Sequence, residues 1–378
     1  MYKGEYLMRK IIQFIRGISD GGAETLVKDY ATLLDKDNFS TTVVTLFERK
    51  NSANSRILRE NHINVICIYP YWNFFVKVFN KLFGEWYVSY CIKKIIEKEN
   101  PIAIHAHMNV LKYLRPIHKK IKGTNLLYTC HTLPQRTFGK GQIKEYDAAK
   151  FLIANNNLQV IALHTQMAAE LNELFSINNT KVIHNAIDFA KFRNVSNTKK
   201  EVRKSIGIPE EAFVIGHVGR FHIVKNHRFL LEIFSVVKQN NKNGFLLLIG
   251  DGEELVQIKK QIKEKRLDNS VLILSNRTDV HVLMRAMDVF VFPSLLEGLG
   301  IVMIEAQLSG LRCIASSEVP KEAFITDLAI PLSLDLPAKK WCEVILDNSI
   351  KGPYKGSLED YDMSKEIKKL ESLYTEVY

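Results

Sequence analysis

Short apolar runs rich in β-branched residues recur along this chain, each followed by a turn and a segment with apolar residues at helical spacing. No other feature restricts the fold as much. The first run is Lys10-Ile-Ile-Gln-Phe-Ile15; after a glycine-rich turn, Leu26, Val27, Tyr30, Leu33 and Leu34 mark one face of a helix. Further strands are expected at 42–47, 64–68, 102–106, 126–130, 159–163 and 181–184. Near-continuous apolar strands alternating with helices predict an α/β fold, its parallel sheets covered on both faces.

The same alternation then starts again. Residues 189–204 are polar and poor in apolar side chains, as expected of a connection between domains. Strands follow at 213–218, 245–249, 271–274, 289–292 and 313–315. Phe229, Ile233 and Val237 mark one intervening helix, and Leu255, Ile258 and Ile262 the next. A length of 378 residues suits two domains at about 150 residues each. The reading is two doubly wound domains, 1–188 and 189–357. A closing helical stretch, 358–378, carries Ile367, Leu370, Leu373 and Tyr374 on one face and leaves the second domain after Gly352-Pro353 and Gly356. Open parallel sheets bind ligands beyond the carboxyl ends of their strands, so two facing domains would hold a ligand in the cleft between them.

An apolar fraction of 46% and a charged fraction of 25% exclude a disordered chain, a collagen and a small disulfide scaffold. Lys and Arg number 52 against 41 Asp and Glu, a formal charge of +11. That excess calls for nucleic acid, anionic lipid head groups or phosphorylated small molecules as partners. The cations are spread over both halves and no common nucleic-acid motif is present, so no nucleic acid is expected. Neither a secretory leader nor a run of 18 uncharged apolar residues is visible. The five cysteines are scattered without a C-x-x-C pair, which reads as reduced thiols of a cytoplasmic protein and no zinc.

Five stretches could carry chemistry. Gly21 and Gly22 follow the first strand, where a bare backbone and a helix N-terminus suit a phosphate, although the turn is not G-x-G-x-x-G. Arg220 and Lys225, in Gly219-Arg220-Phe-His-Ile-Val-Lys225-Asn226, stand at a strand end where a guanidinium fork and an ammonium suit a departing diphosphate. Pro293-Ser-Leu-Leu-Glu297-Gly298-Leu299-Gly300-Ile301 leads to Glu305. Glu297 falls on the loop, Glu305 about one turn into a helix starting near Ile301, and the amides of 299–302 form an anion-binding helix start. Glu305 suits ribose hydroxyls. His131 ends another strand, and His105 and His107 share one strand face. No carboxylate completes a metal set there, so His131 reads as a cleft histidine against substrate. Residues 69–87 interleave aromatics with Lys77 and Lys81; a core helix and an interfacial membrane helix both fit.

Taken in order, these residues resemble the family 4 glycosyltransferases, retaining enzymes of the GT-B fold, especially those of capsule and exopolysaccharide synthesis. The resemblance spans nearly the whole chain. It is carried by Gly21–Glu24, His105-Ala-His107, His131, His184-Asn-Ala-Ile-Asp188, Gly219-Arg220, Lys225-Asn226, Gly250-Asp-Gly252 and Glu297 with Glu305. It implies two Rossmann-like domains facing across a cleft, with the C-terminal helix crossing back to the first. It also implies sugar transfer from a nucleotide-diphosphate sugar, by default a UDP-sugar, to a glycan or lipid-linked acceptor, without cofactor or metal. Arg220 and Lys225 would neutralise the leaving diphosphate, Glu305 hold the ribose and Glu297 the donor sugar. Amides of Gly298, Leu299, Gly300 and Ile301 would contact sugar and phosphate. Gly22, beside Gly21, would close over the diphosphate, Arg277 meet the base, and His131 lie on the acceptor side. One departure is Ala186, where the family has glycine; a positive φ there would resist alanine.

The resemblance further implies work at the inner face of the plasma membrane, with the basic surface and residues 69–87 near anionic lipid. Two other readings keep the fold: a sugar-nucleotide epimerase or phosphorylase, and a non-catalytic partner subunit. The second should have lost the basic pair or the glutamates, and all four are present.

Overall fold

Parallel strands need a crossover between neighbours, and the helices that make those crossovers cover both sheet faces. In the computed structural model, which describes residues 8–376 except Asp20, Lys50, Asn51 and Trp72, this happens twice. The chain divides into two units, Met1–Asn185 with Ser364–Tyr378, and Ala186–Met363.

The strands of the first unit are β1 (Arg9–Ile18), β2 (Phe39–Glu48), β3 (Asn64–Cys67), β4 (Ala103–His107), β5 (Asn125–Thr129), β6 (Gln159–Ala162) and β7 (Lys181–Val182). They form one parallel sheet in the order β3-β2-β1-β4-β5-β6-β7. Strand order reverses between β1 and β4. Ile15 pairs with His107, the last residue of β4, so the rest of β1 runs on past its neighbour.

The second unit has β8 (Phe213–Val218), β9 (Gly244–Ile249), β10 (Val271–Leu274), β11 (Val289–Phe292), β12 (Arg312–Ser316) and β13 (Ala329–Leu332). Their order is β10-β9-β8-β11-β12-β13, reversing between β8 and β11. Period-two alternation sends Phe290 and Phe292 into one core with Leu247, Met303 and Cys313. Val289 and Val291 enter the other, with Leu246, Phe234 and Trp341. Both faces of the sheet are therefore dry.

Three stretches differ from the sequence pattern. Residues 189–204 are not a plain connection: Asp188 caps a helix at Phe189–Arg193, and a Thr198/Glu201 capping box starts another at Lys199–Ser205. The closing stretch is a 3₁₀ turn, Leu358–Tyr361, followed by the helix Met363–Thr375; residues 377 and 378 lie outside the described residues. The helix Phe74–Glu99 is a core helix in its second half only. Its second half buries Val88, Ile92 and Ile96, whereas Phe74, Phe75, Leu82, Phe83 and Trp86 are exposed. Ala186 has no positive φ, so alanine is unstrained there.

Gly250-Asp-Gly252 is explained by the fold itself. Gly252 sits at φ +157, where a Cβ would lie 2.4 Å from the Phe221 carbonyl oxygen. This close approach lets the Phe221 amide donate to Asp251 O at 2.8 Å and the Glu254 amide donate to Phe221 O at 3.0 Å. Gly252→Ala should destabilise the protein by roughly 1–3 kcal/mol through backbone strain alone, read as a lower urea midpoint. An unchanged midpoint would disprove the tight packing of these two loops.

Candidate active site

In the second unit, the site is built where β8 and β11 part company. β8 feeds Gly219-Arg220 and a 3₁₀ turn, Ile223–Lys225, before the helix His227–Asn240. β11 feeds the loop 293–300 and then the helix Ile301–Leu308. The two loops are clipped together by the Leu295 amide, which donates to Val224 O at 2.7 Å. Across this junction Lys225 Nζ donates to Glu297 Oε1 at 2.6 Å. Their side chains are only 16% and 10% exposed, and the ammonium also lies 4.7 Å from the centre of the Phe292 ring. A charge-assisted bond with little water around it is strong.

Beneath the pair lie two buried imidazoles. His217 donates from Nδ1 to Val291 O at 2.9 Å, while its Nε2 and both ring nitrogens of His227 lack a hydrogen-bond partner among the described residues. Burial, aided by the neighbouring imidazole, drives His217 well below the usual histidine range. Burial pushes His227 down to about 4, with Lys225 adding to it. Both are neutral supports under a cation. Gly219 gives Lys225 its room, since a Cβ there would sit 3.3 Å from Lys225 Cε.

The helix Ile301–Leu308 begins at Gly300, which is left-handed at φ +79 and supplies no side-chain cap. Gly298 and the buried Leu299 and Gly300 therefore lead from Glu297 into a helix start at Ile301 whose first amides have no acceptor within the helix. Glu305 lies one turn in, half-buried. The other cations are engaged elsewhere. Arg220 is 71% exposed and donates from Nη2 to Glu253 at 3.1 Å, with His222 Nε2 at 3.5 Å from the same carboxylate. Arg277, beyond β10, is gripped at Nε and Nη2 by Asp279, its Nε bond 2.7 Å long. Lys225 and Glu297 are thus brought together, and Arg220 and Arg277 are held on carboxylates of their own.

In the first unit, Gly21 caps the helix Gly22–Leu33 with no side-chain bond. Gly22 is exposed, and a Cβ there would meet nothing within 4 Å. The fold does not require glycine at 22. His131, just past β5, is one end of a buried polar chain. Its Nε2 meets His107 Nδ1 at 2.9 Å, and His107 Nε2 meets Gln13 Oε1 at 2.7 Å. Gln13 Nε2 donates to the Tyr374 hydroxyl at 2.7 Å, which reaches His105 Nδ1 at 2.8 Å. His105 Nε2 ends the chain on Thr129 Oγ1 at 2.7 Å. The amide of Gln13 sets every proton along it. With Oε1 toward His107, that ring is protonated at Nε2 and accepts at Nδ1, so His131 carries its proton on Nε2. Burial pushes His131 down to about 3 and drives His105 and His107 well below the usual range.

Sequence reasoning missed Gln13, Tyr374, Glu253 and Asp279. Gln13 did leave a signal, being the one polar residue inside the apolar run 11–15. Among the described residues no group of three His, Cys, Asp or Glu side chains is arranged to hold a metal.

Residues 20–191 match the family Glycosyltransferase Family 4 and residues 198–327 match Glycosyl transferases group 1. The chain is a family 4 glycosyltransferase. Over 348 residues it is 28% identical to a Bacillus subtilis protein named as glycosyltransferase EpsF, covering 89% of this chain and 87% of that one. It is 28% identical over 231 residues to the Escherichia coli UDP-Gal:α-D-GlcNAc-diphosphoundecaprenol α-1,3-galactosyltransferase, covering 59% of this chain and 60% of that protein. The crystal structure of Anabaena HepE in complex with UDP and glucose superposes with a TM-score of 0.75 at 20% identity, covering 97% of this chain and all of that one. That likeness establishes the GT-B fold for this glycosyltransferase.

Two outcomes follow from the buried imidazoles of this glycosyltransferase. Tyr374→Phe breaks the chain between Gln13 and His105, freeing the Gln13 amide to turn over. Nitrogen-15 NMR should then show His131 losing its single Nε2-H tautomer; an unchanged spectrum would refute the relay. The second outcome concerns pH. The unfolded chain protonates the six depressed histidines (105, 107, 131, 217, 227 and 281) below about 6.5, before the folded chain does, so stability must fall on acidification. Glu145 works the other way: burial raises it to about 7, so the folded state binds its proton first and gains stability between about pH 7 and 4.5. Urea midpoints should therefore drop from pH 7.5 to 5, and drop more steeply in Glu145→Gln.

Proposed function

We propose that this enzyme transfers a hexosyl group from a UDP-sugar to a lipid-linked or oligosaccharide acceptor in surface polysaccharide synthesis, with retention of configuration. The observation that carries this reading is the buried Lys225–Glu297 pair beside an uncapped helix start, at the point where strand order reverses. Such a junction is where doubly wound sheets bind their ligands. The E. coli relative is named for UDP-Gal and a diphosphoundecaprenol acceptor, and the HepE structure holds UDP and glucose; both favour a UDP-sugar here.

Lys225 supplies the ammonium for the diphosphate while Glu297 orients it and accepts from the donor sugar. The amides of Gly298, Leu299, Gly300 and Ile301 receive phosphate and sugar oxygens, Glu305 the ribose hydroxyls, and Arg277 the base. Arg220 is free to join the diphosphate, because an exposed ion pair such as its contact with Glu253 contributes little. Gly21 and Gly22 leave bare backbone for a phosphate at the other sheet. The acceptor hydroxyl attacks the anomeric carbon on the face the diphosphate leaves. The anomeric carbon–oxygen bond breaks, and the acceptor's proton passes to the departing phosphate oxygen. His131, neutral and with a fixed tautomer, hydrogen-bonds sugar hydroxyls. Two cations stabilising the leaving charge do a divalent ion's work, so no metal is needed.

The exposed aromatic face of the Phe74–Glu99 helix supports attachment at the cytoplasmic surface of the membrane. None of the described helices is long and apolar enough to cross one.

Purified protein incubated with a panel of nucleotide sugars should turn over a UDP-sugar in EDTA, and proton NMR should show the product with the donor's anomeric configuration. Lys225→Ala should lower kcat/KM by at least about 100-fold, roughly 2.7 kcal/mol. Transfer at the wild-type rate would remove Lys225 from the mechanism, and inversion would remove same-face attack.

A further inference from the structure

Arg16, Lys77, Lys81, Lys112 and Lys144 line one open cavity of about 580 Å³ in the first unit, together with Asn80, Leu82, Glu85 and Tyr113. Five cations face a single carboxylate. Glu85 is taken by Lys144 at 2.7 Å in an exposed pair, which leaves the charge of the cavity strongly positive. Lys112 Nζ lies 5.1 Å from the centre of the Tyr113 ring, and no contact of Arg16, Lys77 or Lys81 with an acid is present among the described residues. Like charges gathered this closely repel one another unless an anion joins them.

The position is informative. Arg16 directly follows Ile15, the residue paired with the end of β4. It therefore stands at the reversal between β1 and β4, the ligand-binding point of this sheet. Lys77, Lys81 and Glu85 are spaced i, i+4, i+8 along the Phe74–Glu99 helix and so share one stripe. The adjoining stripe of the same helix carries Phe75, Val78, Phe79, Leu82 and Trp86, which are 79%, 42%, 39%, 68% and 70% exposed. A polyanion pocket thus borders an uncovered apolar strip. The cations converge on a cavity within the size range of small-molecule sites, about 300–1,000 Å³. They do not form the extended track that nucleic acid would need.

We propose that these five cations bind the diphosphate of an amphiphilic acceptor, whose hydrocarbon tail lies along the exposed aromatic strip. The inference rests on the lipid-linked acceptor reading above and names where that acceptor's head group is held.

The test uses the full-length protein and three probes in isothermal titration: farnesyl diphosphate, farnesol and inorganic pyrophosphate, with UDP as an independent control. Farnesyl diphosphate should bind at least 10-fold more tightly than either fragment, and Lys77→Glu/Lys81→Glu should weaken it at least 10-fold while leaving UDP affinity unchanged. Both lysines are exposed, so the doubly substituted chain should keep its far-ultraviolet circular dichroism. Lys112→Ala, which keeps the net charge change small, should weaken the same probe. If UDP binds and farnesyl diphosphate does not, or binds the charge-reversed protein equally well, the site is wrong and the transferase reading stands. If UDP itself does not bind, the donor reading falls. Sedimentation with phosphatidylglycerol vesicles separates the other source of phosphate. Loss of vesicle binding in the charge-reversed protein with full retention of farnesyl diphosphate binding would make the cavity a general membrane contact and overturn the proposal.

Discussion

Where two neighbouring parallel strands send their crossovers in opposite directions, no helix covers the gap between their carboxyl ends. The Lys225–Glu297 pair of the second unit depends on that gap. β8 and β11 create it, Lys225 and Glu297 meet across it, and the Val224–Leu295 backbone bond keeps the two loops in register. A buried ion pair is poor evidence of stability, because desolvating both charges offsets much of their attraction. A sheet junction filled with leucine would serve the fold at least as well. The charges are better explained by a ligand that must be met there by a cation already stripped of water.

The supporting layer points the same way. His217 and His227 are buried with ring nitrogens left bare, an arrangement that costs stability in a finished core. Both are held neutral, so neither competes with Lys225 for an anion. In the first unit, by contrast, the buried polar groups are joined end to end, from Thr129 through His105, Tyr374, Gln13 and His107 to His131. There the C-terminal helix contributes an essential link, since Tyr374 is fully buried in that chain.

Much of this was legible in the sequence because parallel sheets leave a strong trace. Alternating apolar runs located most of the strands, and the strand-end positions of Lys225, Glu297 and His131 followed directly. What stayed hidden has physical reasons. β13, Ala329–Leu332, is a short edge strand with a proline in it and lacks the apolar density that betrays a buried strand. The helices at Phe189–Arg193 and Lys199–Ser205 depend on caps more than on apolar periodicity, so a search for periodicity passes over them. The partners of Arg220 and Arg277 were invisible because an exposed carboxylate a few residues from a turn has no distinguishing pattern. Gln13 was visible as a polar residue in an apolar strand, but its partner Tyr374 lies 361 positions away, beyond the reach of any local rule.

The charge excess acquires a location from the same comparison. An excess of +11 spread evenly would only raise solubility and general attraction to anions. In this chain Arg203, Arg220, Arg277, Lys225 and Lys199 are each matched by an acid. The cavity at the β1–β4 reversal is different, with five cations converging on one glutamate. Each sheet thus has positive charge at its reversal point, compensated by Glu297 in one and largely uncompensated in the other. A compensated cation suits a ligand that arrives and leaves in every cycle, because its carboxylate partner is waiting when the anion departs. An uncompensated cluster suits a ligand whose own apolar part adds binding energy and whose anionic head is not consumed, which is the chemistry of an acceptor carried on a lipid.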